Sequence, residues 1–151
     1  MPFFAAAQNK LLVEGVSPGL YLTHKVAPKE NYYSIGRIYN VSPKEIAPFN
    51  KLQLEKGLSL GQTIKIPLNS SNFFQSGNAA GDETFVPVYY KIKDKEGLYR
   101  VAKNHNDLPL QTLKQWNNIT GDAVKNGVQL VVGYLKVKKE LSALSGMAKT
   151  V

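Results

Sequence analysis

Two stretches decide the fold: "HKVAPKENYYSIGRIY" at residues 24–39 and "YKIKDKEGLYRVAKNH" at residues 90–105. Set one above the other (24 over 90, a constant offset of 66), they match at a series of spaced positions. Val26 meets Ile92, the Lys29–Glu30 pair meets Lys95–Glu96, Tyr33 meets Tyr99, Ile35 meets Val101 and Gly36 meets Ala102. With one residue inserted in the second copy, Val41 meets Leu108, Ile46 meets Leu113, Phe49 meets Trp116 and Asn50 meets Asn117. After one deletion, "GQTIKIP" (61–67) meets "GVQLVVG" (127–133). The chain is an internal repeat. Each copy has about 48 residues, near the size at which a chain struggles to hold a core unaided.

One copy reads as strand, helix, helix, strand. "YLTHKV" puts Leu22, His24 and Val26 on one face and Thr23 and Lys25 on the other, which is strand patterning. Asn31 can cap a helix whose stripe is Tyr32, Ile35, Gly36 and Tyr39, matched by Leu98, Val101, Ala102 and His105. Small Gly36 and Ala102 allow a close approach there. "SPKE" at 42–45 is a capping box with Pro at the first helical position, followed by Ile46 and Phe49 as a buried face. In the second copy Asp107 is the best cap, with Leu110, Leu113 and Trp116 behind it. "QTIKIP" turns Ile64 and Ile66 inward and stops at Pro67. The expected class is α+β: two small βααβ modules, each a two-stranded antiparallel sheet with two helices on one face.

The boundaries that follow are an N-terminal segment at 1–20, a first module at 21–68, a linker at 69–84, a second module at 85–135 and a basic, flexible tail at 136–151. "MPFFAAAQ" resembles the end of an export signal without its basic n-region. "NSSNFFQSGNAAGDE" at 69–83 has linker composition. As a coil it would span on the order of 20 Å. Phe73 and Phe74 stand out within it, as residues that dock on a neighbouring module or form a small exposed contact patch.

The net charge of the 151 residues is +8. Residues 1–84 hold eight Lys/Arg against six Asp/Glu; residues 85–151 hold eleven against five. Such a surface suits an anionic polymer, although scattered charge is also what a solvated face needs. Arg37 and Arg100 are the two arginines, too few for the guanidinium forks of sequence-specific DNA readout. Nucleic-acid binding therefore rests on charge alone. The absence of cysteine removes disulfides, thiolate chemistry and Cys-based zinc sites. No apolar run reaches the roughly 20 residues of a membrane span.

The strand-end valine or isoleucine, "YSIG" and "YRVA", the "FNK" and "WNN" endings of the second helix, "LGQTIKIP" and "LKQWNNI" together resemble a tandem of LysM domains, over about 21–68 and 89–135. The resemblance implies binding of N-acetylglucosamine-containing glycans, such as peptidoglycan or chitin, in a groove between two loops. An N-acetyl group offers a C=O, an N–H and a methyl, which loop backbone and small apolar side chains can meet. By position, loop one is Ala27, Pro28, Lys29, Glu30 and Asn31, and loop two runs from Lys51 to Leu58 with Leu52, Gln53, Leu54 and Leu58 as its contact residues. In the second copy, loop one is Lys93, Asp94, Lys95, Glu96 and Gly97; loop two, from Asn118 to Val124, supplies Ile119, Thr120 and Val124. Both copies depart from the family's usual Gly-Asp-Thr/Ser-Leu in loop one, placing Lys29 or Lys95 at the glycine.

Tyr33 and Tyr99 lie one residue off the core stripe and are further candidate glycan contacts. His24 and His105 lack a ligand pattern and read as structural. Trp116 reads as core, with sugar stacking as its alternative. Glu30 and Glu45 both have capping explanations and do not make a glycosidase dyad. No G-x-S-x-G, H-E-x-x-H or P-loop occurs. The sequence thus reads as a non-enzyme without cofactor or metal that is exported, to the periplasm or the cell envelope, and anchors or targets something there. The rival reading, motivated by the shared Lys–Glu departure in loop one and by the Phe73–Phe74 pair, is a protein–protein scaffold of an envelope or secretion complex that keeps the fold without strong glycan binding.

Overall fold

The computed structural model describes residues 10–121 and 123–148. The resemblance to an export signal falls on residues 1–8, outside the described residues. The chain enters as β1 (Leu11–Leu12) and then builds the first module from β2 (Tyr21–Lys25), α1 (Tyr32–Tyr39), α2 (Pro43–Phe49) and β3 (Thr63–Pro67). β2 and β3 pair antiparallel, with Tyr21 opposite Pro67 and Lys25 opposite Thr63. Alternation buries Leu22, Ile64 and Ile66 and leaves Thr23 and Lys65 in solvent. Tyr32, Ile35, Gly36 and Tyr39 are all buried, as the helical stripe requires.

Asn31 caps α1, its Oδ1 accepting from the amides of Tyr33 and Ser34, while Ser34 Oγ accepts from the Asn31 amide in return. The expected capping box at Ser42 takes another form. Ser42 Oγ accepts from the Lys44 amide, and Glu45 instead accepts from the side-chain amide of Asn69 at 2.8 Å. Phe49 is also more exposed than expected, lying against the Tyr21 ring with centroids 6.1 Å apart. Gly36 is required by the turn between the helices. Asn40 takes a left-handed φ of 55° and brings Val41 back over Gly36, where a Cβ would stand 2.5 Å from the Val41 carbonyl oxygen.

After β4 (Phe73–Phe74) the second module follows as β5 (Glu83–Lys91), α3 (Leu98–Asn104), α4 (Leu110–Trp116) and β6 (Gln129–Lys138). The residue inserted in this copy is absorbed between the helices, where Asn106 and Asp107 are both left-handed at φ 64° and 53°. Asp107 therefore lies in the turn, and Pro109, not Asp107, stands at the N-cap of α4. The βααβ order expected for both modules is present. The second module's antiparallel pair is further flanked on both sides, giving a four-stranded sheet in the order β1-β5-β6-β4. β1 adds parallel to β5, and β4 adds antiparallel to β6.

The linker is not a flexible coil. Phe73 pairs across from Leu135 and its ring lies over Gly133, where no side chain could fit. Asn72 is fully buried: its Nδ2 donates to the carbonyls of Tyr39 and Pro67, and its Oδ1 accepts from the Asn69 amide. Gln75 Nε2 donates to the carbonyls of His105 and Val132, the latter at the bulge where β6 falls out of step with β5. The tail is likewise ordered where it is described. Residues 136–138 continue β6, and Ala143–Met147 form a 3-10 turn. The Lys136 carbonyl accepts from Asn40 Nδ2 at 2.8 Å, and Ser142 Oγ donates to the Ile38 carbonyl at 2.6 Å, so both ends of this segment hold the first module. One continuous apolar core results, from Val13 to Val137.

Two outcomes follow. Asn72→Ala strands the Tyr39 and Pro67 carbonyls and should cost about 2–3 kcal/mol in a urea titration. Fluorescence of Trp116, in the second module, should follow the same transition as far-UV circular dichroism, because the modules share a core.

Candidate functional site

Loops one and two leave the same end of each strand pair. In the first module β2 and β3 end at the Lys25–Thr63 pair, and the Gly61 amide then donates to the Val26 carbonyl at 2.8 Å. In the second, the Gly127 amide donates to the Ile92 carbonyl at 2.9 Å. The helix-to-strand joint is also repeated atom for atom. Asn50 spans from the Ile46 carbonyl to both backbone groups of Lys65; Asn117 spans from the Leu113 carbonyl to both backbone groups of Val131. The matched asparagines hold loop two in place and are structural.

Within loop two, Leu52, Leu54 and Leu58, and in the second module Ile119 and Val124, are part-buried against the core. Gln53 and Thr120 remain in solvent. In loop one Ala27, Pro28, Lys29 and Asn31 are exposed, as are Lys93, Asp94, Lys95 and Gly97. Tyr33 and Tyr99 stand 60% and 68% exposed beside them, off the buried stripe. Lys29 and Lys95 both take left-handed φ, 69° and 65°. The backbone there keeps a conformation suited to glycine while carrying a cation.

Glu30 and Glu96 turn inward and close loop one. Glu30 Oε1 accepts from the Ala27 amide and from His24 Nε2, each at 2.8 Å. With Nε2–H donating to Glu30, His24 Nδ1 accepts a hydrogen bond from the Tyr39 hydroxyl at 2.7 Å. Burial works to raise the Glu30 carboxyl, but the Ala27 amide and His24 outweigh it and hold it below the usual glutamate range. Tyr39 is pushed well up, by burial first and then by the Glu30 charge. In the second module the strand and helix residues exchange places, Tyr90 for His24 and His105 for Tyr39. Tyr90 donates to both oxygens of Glu96, at 2.7 and 2.9 Å, and Glu96 Oε1 accepts from the Lys93 amide at 2.7 Å. Burial, then Glu96, raises the Tyr90 hydroxyl well above its ordinary value. His24 is thus part of a loop lock, whereas His105 packs against the Tyr90 ring, centroids 4.9 Å apart, and bonds the Val101 carbonyl of its own helix. The signal was present in the aligned repeats as a swapped His–Tyr pair.

Trp116 is half-buried at the edge of the core, edge-on to Tyr134 with centroids 5.2 Å apart. Among the described residues no three or more His, Asp and Glu side chains converge as a metal site, and no helix is long and apolar enough to cross a membrane.

Glu30→Gln tests the lock. A carboxylate with a depressed folded-state pKa adds stability above its unfolded pKa and loses it as pH falls through the folded one. The variant should therefore be about 1–2 kcal/mol less stable than the parent at pH 7. The gap should begin to close as the pH falls into the usual glutamate range and vanish only below it, as the depressed folded carboxyl is protonated, measured by urea unfolding at each pH.

Among solved structures the chain is similar to the spore cortex-lytic enzyme SleL of Bacillus cereus, at 23% identity over 74% of this chain and 22% of that one, with a TM-score of 0.33. It is also similar to the SleL of Bacillus megaterium QM B1551, at 20% identity over 77% and 23%, with a TM-score of 0.33. The chain spans less than a quarter of the length of either. The LysM domain model matches residues 24–67 and again 90–133, the two βααβ units described above. With both units matched, the chain belongs to the LysM domain family and carries two tandem copies of its domain.

Proposed function

We propose that this chain is a non-catalytic binder of N-acetylglucosamine-containing glycan, peptidoglycan foremost and chitin second, serving to anchor or target at the cell envelope. LysM domains are in general binding modules for such polymers. The observation that carries the reading is the matched geometry of the two copies. Each presents an exposed loop one whose carboxylate is turned inward, with a left-handed lysine and an exposed tyrosine beside it. The glycan would lie between the two loops of each module. Ala27–Asn31 and Lys93–Gly97 would offer backbone groups to the N-acetyl amide, and the leucines of loop two would shape the wall. Tyr33 and Tyr99 would stack on sugar rings, and Gln53 and Thr120 would supply polar contacts. The excess of lysine favours a wall rich in carboxylates. Such a role places the protein outside the cytoplasm.

Because the modules share a core, two sites would act at a fixed separation. Binding to one polymer would then gain only where that spacing suits the strand. The scaffold reading loses one of its grounds, since Phe73 is buried in the sheet and Phe74 is half-covered beside it. It keeps the Lys–Glu departure in loop one, and sugar-independent co-purification with a defined partner would favour it.

Co-sedimentation with purified sacculi at low ionic strength is the test. The parent should be retained, and Tyr33→Ala or Tyr99→Ala should each weaken binding about tenfold, the worth of one stacked ring. Both variants should stay within about 0.5 kcal/mol of the parent in stability, since neither ring is in the core. No retention of the parent would sink the proposal.

A further inference from the structure

The four-stranded sheet carries a cluster of rings on the face turned away from the core. Phe73, Val86 and Leu135 are buried, so alternation sends their neighbours Phe74, Phe85 and Tyr134 to the opposite face. Phe74 stands directly across from Tyr134, with Phe85 one strand further on. Trp116 reaches the same place from the end of α4. The ring centroids form a chain: 6.1 Å from Phe74 to Phe85, 5.9 Å from Phe85 to Tyr134 and 5.2 Å from Tyr134 to Trp116. Successive planes are turned by 43°, 48° and 76°, so the rings form a wall that bends round instead of a flat stack. All four are half-buried, so a ligand can reach them. They line a cavity of about 220 Å³. It is smaller than the ~300–1,000 Å³ of a drug-sized ligand site, and so takes a single ring.

The remaining wall is polar. Gln75, Ser76 and Gly77 supply it from the segment after β4, and Thr112 from α4. Gln75 Nε2 is fixed by the His105 and Val132 carbonyls, which leaves Oε1 as an acceptor. Among the described residues, Gln75 Oε1, the Ser76 and Thr112 hydroxyls and the Trp116 Nε1–H have no hydrogen-bond partner. The first module has no counterpart. Phe49 stands at the place of Trp116, but it lies against Tyr21, whose ring is covered by Lys65 Nζ at 4.7 Å. Among the described residues no strand lies beside β3 as β4 lies beside β6. The segment that joins the two repeats thus builds a site that neither repeat holds by itself.

The lining selects its ligand. No charged side chain among the described residues lines the cavity, which favours a neutral occupant. Lys136 Nζ lies over the Phe74 ring at 4.1 Å, outside the lining, and 3.7 Å from Glu83. The ring faces ask for C–H surface, and the polar wall asks for groups that both donate and accept. A pyranose has both, C–H bonds on its faces and hydroxyl groups around its rim. We propose that this cavity is a sugar-stacking site of the second module, taking one neutral pyranose residue against Trp116 and Tyr134, with its hydroxyl or N-acetyl groups turned to Gln75, Ser76 and Thr112. No residue of either loop lines it, so it adds to the loop sites. That the residue belongs to an N-acetylglucosamine polymer rests on the function proposed above.

The chain has one tryptophan, so its indole N–H gives a single resonance in the ¹⁵N spectrum of the intact protein. Titration with N-acetylglucosamine tetramer should move that resonance and the backbone amides of residues 75–77, which belong to neither loop, in a saturable way. Trp116→Leu should weaken the response at 75–77 about tenfold, the worth of one stacked ring, while the amides of residues 27–31 keep theirs. Thr112→Arg places a long side chain in the cavity from a half-buried position, leaves the four rings alone and should abolish the response. Loop shifts with residues 75–77 unmoved overturn the site and leave the proposed function standing. An unchanged response at 75–77 in either variant also overturns the site. Shifts at 75–77 with silent loops uphold it and remove the loops from the proposed function. Aromatic walls also bind proline-rich peptides, so a response to such a peptide and none to the tetramer overturns the sugar assignment. Silence at the loops and at 75–77 alike overturns the two proposals together.

Discussion

Each βααβ unit is close to the lower limit of a self-sufficient core, and the structure is organised around that shortage of apolar surface. The remedy is centred on β6. Its first half completes the second module, and its continuation to Lys138 runs on to Asn40 of the first. The side chain of Asn72 makes this joint possible. It reaches the Tyr39 and Pro67 carbonyls of the first module while the backbone carbonyl of Asn72 accepts from the Lys136 amide of β6. A fully buried amide that satisfies three backbone groups costs little to bury, and it lets the adjacent Phe73 ring seat on Gly133.

The same economy governs the loops. A carboxylate at the position of Glu30 or Glu96 would repel an acidic polymer if it pointed outward. Turned inward, it fills the amide at the start of its own loop and is held by a strand aromatic or histidine. What remains outside in both modules is a lysine and a tyrosine, with Asp94 beside them in the second. The departure from the family's glycine in loop one is therefore accommodated by backbone conformation, with both lysines at positive φ, and by a glutamate that serves the loop.

Much of this was legible in the residues. The repeat exposed the βααβ order, the buried stripes and the off-stripe placement of Tyr33 and Tyr99, because period and spacing are local properties. The linker and tail were misread because composition is also local. Asn72 and Gln75 look like linker polar residues, and only the fold reveals the carbonyls that they satisfy. β1 is two residues long and pairs in parallel with a distant strand, Leu11 opposite Val88, so no local pattern announces it. The swapped His–Tyr pair was visible in the alignment, but its partner glutamate lies across a turn.

The contact between Ser142 and Ile38 joins residues 104 positions apart, and it bears on how the molecule forms. During synthesis the first module emerges complete in its own strands and helices, yet the Ile38 carbonyl of α1 does not meet Ser142 until 104 further residues have been made. β1 likewise waits for β5. Pairings of such long range are slow to close, because the intervening chain must be ordered first. The first module would thus spend its early life as a loosely held unit, and the second would not simply fold after it but finish it.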